Sequence, residues 1–322
     1  MVRRSRVRGA AGATGPRNEL TLAIFFSRSQ RLFRCLLLVA LAPGAAAGQG
    51  AARGASVCQP LAGLVRVPGL PELSGLAISR TMPGTLWAHN DSGPSVLVAL
   101  GTDGAVKARV RLAGVRLLDW EAVATGPCPA GSCVFAADIG DNDAARRRVS
   151  IYRFPEPGLS QPSVPVRDVF YGAYPDGPQD AETLLVTPDG DIFIVTKGET
   201  AGIGLYRFPR DLRAGATHPL ARVGRAPADG KVKPRSRITD GSVSPDGRWV
   251  VLRTNTELQF YRASAFLAGS WTVDRTMDLS ALKEPQGEAV AVGANGDIFV
   301  GGEGGRKGEA GTFSRACWTN EK

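Results

Sequence analysis

Asp180-Ala181-Glu182-Thr183-Leu184-Leu185-Val186, followed by the turn Pro188-Asp189-Gly190 and the apolar run Ile192-Phe193-Ile194-Val195, is the stretch that decides the fold. The pattern returns as Thr239-Asp240-Gly241-Ser242-Val243-Ser244 before Pro245-Asp246-Gly247, and as Gly287-Glu288-Ala289-Val290-Ala291-Val292 before Asn295-Gly296. Weaker copies lie upstream at Trp120-Glu121-Ala122-Val123 and at Leu73 to Ile78. Aligned, they place Ser74, Glu121, Glu182, Asp240 and Glu288 in one column, at spacings of 47, 61, 58 and 48 residues.

Short alternating strands, Asp-Gly or Asn-Gly turns and a period of about 40 to 60 residues describe the blades of a β-propeller. The first strand of each blade lines a central channel, so one column of the repeat becomes one ring around it. An all-β propeller of five blades with four antiparallel strands each follows, with six blades as the alternative. The last blade is one strand short, and Leu64 to Val67 supplies it. A short helix is expected around Ser264 to Leu267.

The first 48 of the 322 residues read as a signal peptide: eight arginines against one acid, an apolar run from Cys35 to Leu41, then Ala45-Ala46-Ala47. Residues 49–57 form a linker and 58–322 the propeller. The chain holds 39 basic and 30 acidic residues, but without the leader 31 bases face 29 acids, so the basic character belongs to the leader. No basic stripe with interleaved aromatics remains to bind nucleic acid, and no membrane span survives cleavage. A secreted, periplasmic or cell-surface monomer is expected. The even count of remaining cysteines favours two disulfides, Cys128 with Cys133 and Cys58 with Cys317.

A ring of Glu121, Glu182, Asp240 and Glu288 cannot stay fully ionised without protons, bases or a cation. Hard oxygen ligands point to calcium in or near the channel, and hydrogen bonds to neighbouring strands are the competing role. The ends of the second strands form a mouth with Asn90, Asp138, Asp141, Asn142 and Glu303 as ligand-binding candidates. His89, Asp91, Lys197 and Arg253 are the candidates for catalysis there. Acids facing two bases suggest a small anionic ligand or an extracellular partner. Asp119 and Asp180, two residues before the column, are expected to orient loops at the mouth. Asn90-Asp91-Ser92 also matches a glycosylation acceptor, and no serine or cysteine lies in a nucleophile pattern.

The chain resembles the exported bacterial propellers grouped with the esterase-like phytase and SdiA-regulated propeller families. Leu73-Ser74-Gly75-Leu76, Asn90 to Gly93, Asp119-Trp120-Glu121, Asp138 to Asn142 with Arg147 and Glu156-Pro157, Asp180-Ala181-Glu182, and Thr239-Asp240-Gly241 before Ser244 to Gly247 carry the likeness. It implies metal-binding acids in or near the channel and, in some members, phosphoester hydrolysis. Calcium-dependent phytases carry a denser set of acids and lysines than this chain. Three functions follow: a binding module with a channel cation, a calcium-dependent phosphoesterase, and a lactonase-type hydrolase.

Overall fold

The computed structural model describes residues 63–199, 201–227 and 232–318. The leader, the linker and Cys58 lie outside them. The described residues form a five-bladed propeller, not a six-bladed one. Its innermost strands are Leu73–Ile78, Trp120–Cys128, Ala181–Val186, Asp240–Val243 and Gln286–Val292, each in contact with the next and the last with the first. They enclose the channel.

Each blade is an antiparallel meander running outward from its inner strand. Blade three runs Ala181–Val186, Ile192–Thr196, Gly204–Arg207, Ala221–Arg225; blade four runs Asp240–Val243, Trp249–Arg253, Glu257–Arg262, Arg275–Asp278. Blade five has three strands from the C-terminal end, Gln286–Val292, Asp297–Glu303 and Gly311–Cys317. Val65–Val67 completes it from the other end of the chain, with Val65 opposite Phe313 and Val67 opposite Gly311. That closure ties the ring.

Alternation explains why both sheet faces are apolar. In Ile192–Thr196, Ile192 and Ile194 point into the core between blades two and three, whereas Phe193 and Val195 point into the core between blades three and four. Five such apolar clusters lie between successive blades around the whole ring. No blade buries its faces alone. At the turns, Gly190 and Gly247 have φ of 85° and 69°, the left-handed conformation that a side chain disfavours.

The edges depart from four strands. Ser163–Pro165 leaves the blade-two segment to pair in parallel with Arg111 to Ala113 of blade one, and Thr217–Pro219 likewise adds to blade two. Both segments carry a proline, which an edge tolerates because one side makes no ladder. These additions were hidden in segments that read as connections. Cys128 and Cys133 form a disulfide across their hairpin, with Cα atoms 5.8 Å apart. Cys317 is also disulfide-bonded, and its expected partner, Cys58, is outside the described residues. The short helix is Ala263–Phe266. Among the described residues no helix is long and apolar enough to cross a membrane.

Candidate functional site: the acidic channel mouth

The column of acids is aimed by the backbone. In four of the five inner strands the ladder slips by one residue at the column position: Ser74, Glu121, Glu182 and Glu288 are each the extra residue of a bulge. A bulge turns its side chain out of the normal alternation. The inner strand of blade four has no slip, and Asp240 pairs directly with Arg253. Its carboxylate instead accepts a hydrogen bond from the Val290 amide at 2.8 Å, tying blade four to blade five.

The bulged residues meet at the mouth. Ser74 Oγ donates to the Glu121 carbonyl at 3.0 Å and to its carboxylate at 3.3 Å, and Glu121 and Glu182 share a hydrogen bond. Lys197, immediately after the second strand of blade three, places its ammonium against Glu182 and 3.8 Å from both Asp180 and Glu199. Gly140 lets this group close up: a Cβ there would stand 2.4 Å from an Asp119 oxygen and 2.6 Å from Glu121 Oε1. Arg237 pairs with Glu199 at 2.9 Å.

On the side of blades five and one the acids are bonded to one another and to neutral side chains, and Lys197 reaches Glu288 and Glu303 only through its field. Glu288 and Glu303 both accept from the Gln286 amide, at 2.6 and 2.9 Å, and Glu72 is bonded by Ser92 and by Asp91. Asp91 Oδ1 is buried without a partner. No lysine or arginine among the described residues is bonded to Glu72, Asp91, Glu288 or Glu303.

Burial, and then the crowding of like charges, sets the proton affinities. Burial and Glu182 push Glu288 up to about 8. Burial and Glu72 push Asp91 up to about 7. Glu182 rises by burial to about 6, restrained by Lys197, while burial with Glu182 and Asp119 holds Glu121 well above the carboxylate range. Burial opposes the charge on Lys197, but Glu182 outweighs it and keeps the ammonium protonated.

Each of these carboxyls has a native pKa above its unfolded value of 3.8 (Asp) or 4.5 (Glu), so the native state holds more protons in between. Their stabilisation is complete below about pH 4 and is lost as pH rises through 6, 7 and 8. The unfolding free energy is therefore expected to fall across that window by ~1.4 kcal/mol per pH unit for each proton released on unfolding, and the melting temperature with it. Glu288→Gln keeps a partner for Gln286 and flattens the curve between pH 6 and 8. A curve identical to that of the parent in thermal denaturation would rule out the shift.

The remaining candidates from the sequence lie elsewhere or are engaged. Arg253 is fully buried, donating to the Ala289 and Gly301 carbonyls at 2.7 and 3.0 Å and paired with Glu284. Asp138 accepts from the Leu118 and Asp119 amides and pairs with Arg146 at 2.8 Å. Asp141 caps the amides of Ala145 and Arg146, and Asn142 is exposed beside it. Asn90 accepts from the Glu72 amide. His89 is fully buried, its ring stacked 4.0 Å from Trp120, and burial lowers its pKa to about 3.

Glu72 and Glu284 were not singled out by the repeat, because neither stands in the column. The donor chemistry suits a hard cation. The placement does not: among the described residues no three His, Cys, Asp or Glu side chains are arranged to hold a metal ion, and the Lys197 ammonium stands against Glu182 where the ion was expected. As these side chains stand, they do not fit calcium.

At the other end of the channel the inner strands finish in a cavity of about 420 Å³ lined by Ile78, Val186, Val243 and Val292 with Thr125. Ser79, Arg80, Ser242 and Ser244 stand in the same wall, so one mouth is crowded with carboxylates and the other mixes polar and apolar side chains.

No family model matches this chain, and no curated protein matches it. Among solved structures it is similar to the PQQ-bound aldose sugar dehydrogenase of Streptomyces coelicolor, at 10% identity over 79% of this chain and 97% of that one, TM-score 0.46. A putative glucose dehydrogenase from Thermus thermophilus is 12% identical over 80% and 99%, TM-score 0.43. A gluconolactonase from Xanthomonas campestris is 13% identical over 81% and 96%, TM-score 0.44. Likenesses this distant leave function to be argued from the residues of the mouth.

Proposed function

We propose that this chain is an exported ligand-binding propeller whose acidic mouth, on the side of blades five and one, receives a cationic group such as a guanidinium or ammonium. One observation carries the reading: Glu72, Asp91, Glu288 and Glu303 crowd together with no base bonded to them, and burial and like charge raise the proton affinities of Asp91, Glu288 and Glu303. A ligand cation supplies the charge they lack. Lys197 is the intramolecular example, seated on Glu182 in the other half of the mouth. The Cys128–Cys133 disulfide supports an oxidising compartment.

A small anion, expected from the sequence, fits less well. Of the two bases it relied on, Lys197 is engaged by Glu182 and Arg253 is buried. A phosphoester would likewise bring negative charge against these acids, so the phosphoesterase and phytase-like readings rest on a metal the mouth is not arranged to hold. Lactone hydrolysis is the second reading. Glu121 and Glu182 share a hydrogen bond beside Lys197, and burial raises the proton affinity of both, so a carboxyl that holds a proton near neutral pH is at hand for general acid–base work.

Calorimetry with agmatine, whose guanidinium stays charged, tests the binding reading. Affinity is expected to rise from pH 6 to pH 8.5 as Asp91 and Glu288 ionise, and to fall about tenfold in Asp91→Asn, the size of one charge-assisted hydrogen bond. No binding at pH 8.5 overturns it, and calcium binding tighter than agmatine would restore the metal. Turnover of simple lactones that disappears in Glu182→Gln would favour the hydrolase.

A further inference from the structure

On the outer side of blade two a second surface has the opposite charge. An open groove of about 630 Å³ is lined by Arg116, Arg147 and Arg148 together with Leu118, Tyr152 and Tyr171. The one acid in its wall, Asp138, is already neutralised by Arg146 and by two backbone amides. Arg146 is held in turn by the Gly140 and Asp138 carbonyls, at 2.7 and 3.2 Å. The other three arginines are exposed, and no carboxylate among the described residues is bonded to them.

The groove also has flat apolar surface. The Arg148 guanidinium carbon lies 3.8 Å from the centre of the Tyr171 ring, a cation–π contact. Leu118 is 67% exposed beside it. Guanidinium forks recognise carboxylates and sulfates in two-bond geometry, and the half-exposed Tyr152 offers a ring that can pack against a sugar while keeping a polar edge. From three exposed arginines sharing an open groove with tyrosine and leucine side chains, not a closed pocket, we infer that it binds an acidic polysaccharide, one carrying a carboxylate or sulfate on successive rings.

Three exposed charges in one open groove favour a polymer over a single anion, because each further contact adds to one binding event. Retention of the polymer is then a property of blade two, independent of the acidic mouth and of the ligand proposed for it.

The test is calorimetry of the full chain with polygalacturonate at 50 mM and 200 mM salt, beside galacturonate monomer, inorganic phosphate, neutral dextran and an oligonucleotide. The polymer is expected to bind, to weaken with salt as released counterions require, and to lose at least about tenfold affinity in the combined variant Arg116→Gln, Arg147→Gln, Arg148→Gln. That variant should melt with the parent, since all three side chains are exposed. Glu303→Gln should leave polymer binding unchanged, which separates this groove from the mouth. Parent-like affinity in the triple variant overturns the inference. So does binding of phosphate, dextran or the oligonucleotide as tight as that of the polymer.

Discussion

Arg253→Met is expected to destabilise the propeller by about 3–5 kcal/mol, the usual cost of leaving one partner of a buried ion pair uncompensated. For a domain of this size that lowers the melting temperature by roughly 6–20 °C. The guanidinium has no exposure, and the Glu284 side chain facing it is 3% exposed. Its other bonds reach the Ala289 and Gly301 carbonyls, so one side chain from blade four holds two strands of blade five.

Gly287 shows how tight the passage is, since a Cβ there would stand 2.1 Å from Nη2. Adding Glu284→Gln to Arg253→Met removes the stranded charge and should recover part of the loss. A loss below about 1 kcal/mol, or no recovery in the double variant, would show that the pair does not join these blades.

Lys197→Met is expected to have the other large effect, and one that depends on pH. It removes the ammonium seated on Glu182 and 3.8 Å from Asp180, both of which are nearly inaccessible. At pH 8 the expected cost is about 3–5 kcal/mol. Glu182 already reaches about 6 with the ammonium present, so without it the carboxyl gains its proton at higher pH still. The cost should therefore shrink on acidification and be small at pH 5. Chemical denaturation at both values makes the comparison; equal losses would place the counter-charge elsewhere.

The fold was legible because its signal repeats. Five copies of one pattern located all five inner strands, and the shortfall of one strand in the last blade called for the segment at Val65–Val67. The strands Ser163–Pro165 and Thr217–Pro219 were not legible, because three residues with a proline carry no periodic signal. Their pairing is set by the neighbouring edge.

The site was legible in part, for a related reason. A column in a repeat fixes depth along the channel, which is why Glu121, Glu182 and Glu288 come together. It does not fix direction. Asp240 occupies the same column but lacks the bulge, and bonds the Val290 amide instead. Lys197 and Arg253 both follow or end a second strand, yet one reaches the ring of acids and the other turns into the interface between blades four and five. Only Glu284, from a connection outside the repeat, accounts for that difference. Glu72 was missed likewise, and with it the uncompensated half of the mouth.

All of this rests on acids from different blades sharing one space. The most direct test is the titration of the Glu288 side chain, followed by carbon-detected NMR in the parent and in Glu182→Gln. A midpoint near 8 in the parent, falling toward the ordinary range once the Glu182 charge is gone, is the expected result. A midpoint near 4.5 in both proteins would mean that the carboxyls of blades three and five do not meet at the channel.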